Sequence, residues 1–445
     1  MYDEQIETLP RERLRELQSD RLVKLAAYVY ERVPHYQAAF DEVGIKPRDV
    51  RSIDDLQRLP VTYKRHLHAN YPLGMFAVNR DRLARIHASS GTTGKPTVVG
   101  YTHNDLALFA EVNARSLAAA GGRPGMLFHN AYGYGLFTGG LGLHGGGEKL
   151  GMCVVPVSGG MTERQATLIL DLEPDIIACT PSYAQTLAEE FARRGVEPDQ
   201  ISLRYGILGA EPWSEAIRSD VEAGLAIEAT NIYGLSEIIG PGVANEAVGE
   251  RDGSYIWEDH FYPEILDPLT AEPVEDGSEG VLVITTLTKE ALPLIRFWTG
   301  DITTLTREPG ASGRTHARIG MIRGRADDML IVRGVNVYPT QIEAVLGHVP
   351  QASAHYQLVV SREKTLDALE LRLELNQEAF SRFGREVLEG GMLAADQRVR
   401  ELSRDIEQRI RDTVGIGVMV KLLAPGSAPR SEGVKLRRVV DQRRL

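Results

Sequence analysis

Cysteine is scarce: Cys153 and Cys179 are the only 2 among 445 residues. Both sit in apolar settings, which excludes a disulfide framework and makes a reducing compartment the simpler expectation. Long hydrophobic runs are missing too. Stretches such as 152–157 fall far short of the ~20 apolar residues that cross a bilayer, and no N-terminal signal pattern is present. A cytoplasmic protein with no membrane partner is expected. There is no basic excess either. Lys and Arg total 50 against 61 Asp and Glu, a net charge of −11, which argues against nucleic acid or an anionic membrane as the main partner. No long-range repeat or low-complexity tract is found. What the chain does have is length, enough for about two or three units and a large interior.

Leu14, Leu17, Leu22, Leu25 and Tyr28 recur at helical spacing with charges between them, which predicts an amphipathic helix packed on the main domain. From Thr162 a repeating unit begins. Thr162 with Gln165 forms a capping-box signature for a helix to Leu172, and 175–179 reads as a buried strand. Ser182 with Gln185 caps the next helix, which ends near Gly195; 205–208 reads as a strand, 214–224 as a helix and 227–232 as a strand. Alternation of this kind means α/β architecture, with a doubly wound, mostly parallel sheet covered on both faces. This large domain is placed over 1–326. A small mobile α+β domain is expected over 327–445, with a Thr340-capped short helix, strands near 356–360 and 368–375, a long helix over about 396–413 and a strand at 418–423.

The chemistry is densest in Ser89, Ser90, Gly91, Thr92, Thr93, Gly94 and Lys95, followed by Pro96. Glycines let backbone N–H groups approach phosphate oxygens, hydroxyls add donors and lysine adds charge. A Walker A loop is disfavoured, because Gly91 and Gly94 are too close and Pro96 occupies the Ser/Thr position that would hold magnesium. By composition alone such a run is also an ordinary surface turn.

Four further segments follow in order: Gly209-Ala210-Glu211-Pro212, Tyr233-Gly234-Leu235-Ser236-Glu237, Trp298-Thr299-Gly300-Asp301 and Gly324-Arg325-Ala326-Asp327-Asp328. The first two follow strands at their carboxyl ends, where nucleotides bind in such sheets. With the first loop, the series resembles the adenylate-forming superfamily of acyl- and aryl-CoA ligases, carrier-protein adenylation domains and luciferases. Segments 71–78, 87–102, 257–262, 288–293 and 324–343 narrow the resemblance to the phenylacetate-CoA ligase family, over about 60–441.

The resemblance implies ATP, Mg2+ and coenzyme A as cofactors, an aromatic acid as substrate and a homodimer as the assembly. It assigns the β- and γ-phosphates to Ser89 through Lys95, the α-phosphate to Ser236 and magnesium to Glu237. Asp301 would accept the ribose hydroxyls, a task suited to a carboxylate, with a second contact from Arg325. Gly209, Ala210, Glu211 and Pro212 would line the adenine slot with Ile232, Tyr233 and Gly234. Tyr132, Gly133 and Phe137, in a stretch alternating aromatics with glycine, would form a flat acyl pocket with Ile238 and Pro241.

Lys435 is the candidate for the cation bridging the attacking carboxylate and the α-phosphate. Relatives place that lysine directly after the Ser-Glu-Gly glycine, whereas Val434 intervenes here. Asp327 matches the hinge about which relatives rotate the small domain, bringing in a coenzyme A loop that here contains Arg333 and Gly334. Relatives' zinc-site cysteines near 245–251 and 310–314 have no counterpart, so no structural zinc is expected. His260 reads first as a hydrogen-bonded structural histidine and second as a catalytic one. Two other functions stay open at this point: transfer of the adenylate to a carrier protein or amine, and a nucleotide-binding regulator without catalysis.

Overall fold

A computed structural model describes residues 1–89, 96–326, 330–332, 335–337, 339–363, 366–383, 387–394, 396–430 and 438–442. The N-terminal amphipathic helix forms over Arg11–Arg32, burying Leu14, Leu22, Leu25, Ala26 and Val29, with Leu17 and Tyr28 at the margin of the buried face. Each buried leucine contributes roughly 1.5–3 kcal/mol. Polar contacts fix the helix on the main body, as expected: Arg11 pairs with Glu258 at 2.7 Å and Gln18 donates to the Glu258 carbonyl at 3.0 Å.

The alternating unit is present as helix Thr162–Leu172, strand Ile176–Cys179, helix Pro181–Arg193, strand Tyr205–Gly209, helix Glu215–Leu225 and strand Glu228–Leu235. Two expected caps are corrected. Thr162 is the first helical residue behind the left-handed Met161, and Gln165 turns inward to His129 and to the carbonyls of Ser158 and Gly160. Thr180 caps the next helix, because Pro181 supplies the preset first turn and leaves Ser182 inside it. Ser214 does cap its helix, accepting the Ile217 N–H.

Among the described residues these strands join a nine-stranded sheet. Cys153–Val155, Leu127–Asn130, Ile176–Cys179, Tyr205–Gly209 and Glu228–Leu235 run parallel, and helices cover the faces as expected of an α/β fold. Beyond them the direction changes. Glu228–Leu235 does not lead into a helix but turns back at 236–239 into the antiparallel strand Gly240–Asn245. A second sheet, Phe261–Leu266, Gly280–Thr286, Phe297–Thr303 and Gly324–Arg325, is wholly antiparallel. Its strand Gly280–Thr286 is buried at every position, so no alternation marks it in the sequence.

Arg325 is still paired in that sheet, whereas Leu330 opens a separate hairpin. The C-terminal part pairs Ala352–Glu363 with Leu366–Leu375 antiparallel, and flanks them with Met419–Leu423 and Val439–Asp441 in parallel. Its long helix is Gln397–Val414, capped by Asp396 and stopped by Gly415 in the left-handed region. The short helix starts at Pro339, so Thr340 lies within it instead of capping it. The part has its own core around Leu358, Leu371, Leu373, Ile406 and Ile410. It touches the α/β part where His355 meets Glu189 at 3.3 Å and Ala354 packs near Phe191 and Trp213. No helix of the described residues is long and apolar enough to cross a membrane.

Candidate active site

The site is built from strand ends. Gly209 closes its strand so tightly that a Cβ would run into the Ile232 carbonyl, and Ala210 then takes φ 70°, turning the chain out of the sheet. Glu211 ties this loop to the start of the helix Pro181–Arg193, accepting the Ser182 N–H at 2.7 Å. Its second carboxylate oxygen is buried with no hydrogen-bond partner among the described residues. Ile232, on the next strand, pairs with Gly209, and Tyr233 follows it with its side chain on the opposite face of the sheet.

Sequence reasoning put Asp301 and Arg325 at the ribose and Tyr233 at the adenine, and the structure joins all three. Tyr233 donates its hydroxyl to Asp301 Oδ2 at 2.7 Å, and Arg325 reaches Asp301 Oδ1 at 3.0 Å from the neighbouring strand. Burial drives the Tyr233 hydroxyl well above its ordinary pKa, so it remains a donor. Asp301 is thus a carboxylate at the edge of solvent, 8% exposed, oriented by a phenol and a guanidinium.

The turn after Leu235 carries the next group. Gly234 has no room for a side chain beside the Gly240 carbonyl. Ser236 Oγ lies 3.2 Å from Thr138 Oγ1, and the Glu237 carboxylate lies 3.3 Å from Lys64 Nζ. Lys289 Nζ donates to the Glu237 carbonyl at 3.2 Å, and burial pushes its pKa down to about 8. Thr138, Lys64 and Lys289 were not singled out in the sequence. Lys289 was legible only as part of the family-like segment 288–293, and nothing in its neighbours showed that it would be buried.

The aromatic stretch meets the same turn. Tyr132 and Phe137 flank Gly139, the Gly133 carbonyl accepts the Gly140 N–H at 3.2 Å, and Gly240 leaves space for Thr138. Ile238 is fully buried and Pro241 pairs with Gly234 across the hairpin. The Leu136 carbonyl accepts the Ala88 N–H and contacts His87 Nδ1, each at 3.0 Å. This staples the aromatic loop to the strand Arg85–Ser89, which leads into the hydroxyl-rich loop. The Ser89 hydroxyl is buried without a hydrogen-bond partner among the described residues. Ser90, Gly91, Thr92, Thr93, Gly94, Lys95, Asp327, Arg333, Gly334 and Lys435 lie outside the described residues.

The ends that bracket 431–437 are described. Arg430 pairs with Glu374 at 2.6 Å, and Arg438 pairs with Glu343 at 3.0 Å while stacking 4.8 Å from the Tyr356 ring centroid. The Arg438 carbonyl accepts the Leu358 N–H at 2.7 Å, so the chain enters the C-terminal sheet at once. His260 has a structural setting: it contacts Thr288 Oγ1 at 2.8 Å and Asp259 at 3.1 Å, beside Arg115.

A buried carboxylate held by a phenol and a guanidinium, a tight strand-end loop at 209–212, and a hydroxyl and a carboxylate on one turn suit a nucleoside phosphate. Comparison with known proteins agrees. Residues 8–287 match the family model described as AMP-binding enzyme, and 334–443 match the AMP-binding enzyme C-terminal domain. The chain is 64% identical over 444 residues to a phenylacetate-coenzyme A ligase of Thermus thermophilus, covering 100% of both. It is 49% identical over 441 residues to the phenylacetate-coenzyme A ligase of Escherichia coli, covering 99% of this chain and 97% of that protein. Among solved structures, 2-hydroxyisobutyryl-CoA ligase in the postadenylation state with 2-HIB-AMP is similar, with TM-score 0.89 and 28% identity over 98% of this chain and 91% of that one. The same enzyme with 2-HIB-AMP and CoA in the thioesterification state gives TM-score 0.70 at 28% identity, over 99% and 92%.

Proposed function

Because the chain belongs to the phenylacetate-coenzyme A ligase family of AMP-binding enzymes, it is an ATP-dependent acid–thiol ligase, and we propose that its acid is phenylacetic acid. The observation that carries the reading is the 64% identity to the Thermus ligase over the whole of both chains. In the first half-reaction a carboxylate oxygen of the acid attacks the α-phosphorus of ATP, the bond to the β-phosphate breaks, and pyrophosphate leaves. In the second, the thiol of coenzyme A attacks the acyl carbon, its proton passes to solvent, and AMP leaves.

In this reading Asp301, held by Tyr233 and Arg325, accepts the ribose hydroxyls, and its fixed position removes much of the orienting cost of nucleotide binding. Gly209, Ala210, Glu211 and Pro212 take the adenine with Ile232, Tyr233 and Gly234. Ser89 through Lys95 receive the outer phosphates, and the Ser236 hydroxyl meets the α-phosphate. A single carboxylate beside a hydroxyl fits Mg2+, which draws most of its ligands from phosphates and water. Glu237 would hold it, displacing the carboxylate's present partner Lys64. Bound there, Mg2+ neutralises charge on the phosphates.

Tyr132, Gly133, Phe137, Ile238 and Pro241 enclose the aryl group. Lys435 serves as the bridging cation, and its segment is anchored at both ends by Arg430–Glu374 and Arg438–Glu343. Rotation at Asp327, between a large domain 1–326 and a small domain 327–445, then brings Arg333 and Gly334 to the pantetheine arm. The higher similarity to the postadenylation structure supports reading the present arrangement as the one around the adenylate. A homodimer in the cytoplasm completes the proposal, and light scattering at twice 49.0 kDa checks the assembly.

Pyrophosphate release and thioester formation, measured on a panel of phenylacetate, benzoate, aminobenzoates and indoleacetate, test the function. Phenylacetate should give the highest kcat/KM and require coenzyme A for thioester. Absence of phenylacetate-dependent pyrophosphate would overturn the reading.

A further inference from the structure

Three groups from distant parts of the chain hold the turn 236–239. Thr138 meets the Ser236 hydroxyl, Lys289 donates to the Glu237 carbonyl, and Tyr101 donates its hydroxyl to the Ile239 carbonyl at 2.8 Å. Lys289 is the costly member. It is 2% exposed, with its ammonium 5.1 Å from the Tyr101 ring centroid, and Tyr101 is itself stacked on Phe109.

Its neighbouring anions are already engaged. Asp105 accepts the N–H groups of Thr102, Glu290 and Ala291 at 2.7–2.9 Å, and the Glu237 carboxylate faces Lys64. A buried cation carries a desolvation penalty that an apolar side chain of the same length avoids, so packing alone gives no reason for lysine here. Its donor is aimed at the peptide that sets the direction of the Glu237 side chain.

We propose that Lys289 is a positioning residue that, with Tyr101, fixes the 236–239 turn so that Ser236 and Glu237 meet the phosphates and metal of MgATP. The proposal rests on the reading of Glu237 as the metal-binding carboxylate. The three backbone donors on Asp105 remain when Lys289 is replaced, so Lys289→Met is expected to fold.

The test is ATP binding by calorimetry on the full chain, with Mg2+ and with EDTA, for the parent, Lys289→Met, Tyr101→Phe and Glu237→Gln. Losing a charge-assisted anchor should weaken ATP binding in Mg2+ by about 10-fold or more in Lys289→Met. Binding in EDTA should change by less than about 3-fold, because without the metal only the single Ser236 contact depends on the turn and the ribose and adenine contacts are untouched. Tyr101→Phe, which removes a neutral anchor of the same turn, should show the same selective loss at about 3- to 10-fold and decides the matter if Lys289→Met is recovered unfolded.

Equal weakening in Mg2+ and EDTA together with a lowered Tm would mean Lys289 is merely structural. If Glu237→Gln abolishes the Mg2+ enhancement while Lys289→Met and Tyr101→Phe retain it, the positioning role is refuted and the reading of Glu237 survives. If Glu237→Gln retains the enhancement, the reading of Glu237 itself fails, and the positioning role with it.

Discussion

Asp301→Asn isolates the nucleotide reading with little disturbance of shape. In the parent, Tyr233 and Arg325 hold the two carboxylate oxygens at 2.7 and 3.0 Å and so fix the orientation of the carboxylate. Hydrogen bonds to a charged acceptor contribute about 1.5–3 kcal/mol each and neutral ones about 0.5–1.5. The amide keeps one acceptor oxygen, so two ribose hydroxyls lose about 1 kcal/mol each, or roughly 30-fold in ATP affinity at 1.4 kcal/mol per decade. Tyr233 can still donate to the amide oxygen, and Arg325 retains the Thr299 carbonyl at 3.2 Å, so the fold should survive.

Calorimetry with ATP and 2′-deoxy-ATP makes the test specific. The parent should lose about 10-fold on removal of the hydroxyl, and Asp301→Asn less than about 3-fold, since the two changes delete the same contact. Unchanged ATP affinity in Asp301→Asn, or an equal deoxy penalty in both proteins, would refute the assignment.

Arg438→Met removes the anchor three residues beyond Lys435 and leaves Glu343, whose pKa burial already raises, without its cation. Adenylate formation should fall by about 10-fold or more, while thioester formation from supplied phenylacetyl-adenylate changes by less than about 3-fold. An equal loss in both halves, seen by single-turnover assays, would show general damage. The acid limb of stability should trace to the cluster around Arg115. His260, 3.7 Å away, and the Arg115 guanidinium hold Glu111 down to about 2, and Asp259 is also depressed. A carboxylate depressed in the folded state stabilises above its unfolded value, and that stability is lost as pH falls toward the folded one. Tm of the parent should therefore drop more steeply than that of Glu111→Gln between about pH 4.5 and 2. Parallel Tm curves from scanning calorimetry would refute this.

The sequence by itself determined the periodic cores and the identity of the chemistry-bearing segments. Leu14, Leu22 and Leu25 repeat at a helical period because one stripe must leave water, and strand and helix alternate from Thr162 because a covered parallel sheet requires it. Gly209 and Gly234 were legible within their motifs because backbone approaches there exclude a Cβ. Local competition decided the caps: Pro181 at the first turn favours Thr180 over Ser182.

Tertiary structure alone decided which groups meet. Tyr233 and Asp301 are 68 positions apart, Thr138 and Ser236 98, and Lys289 and Glu237 52. No local propensity encodes such separations, because they follow from sheet order and from the reversal of the chain at 236–239. The value of a lysine depends on the water around it, and 2% exposure at Lys289 is a property of the packed core that surrounds it, not of its neighbours in sequence.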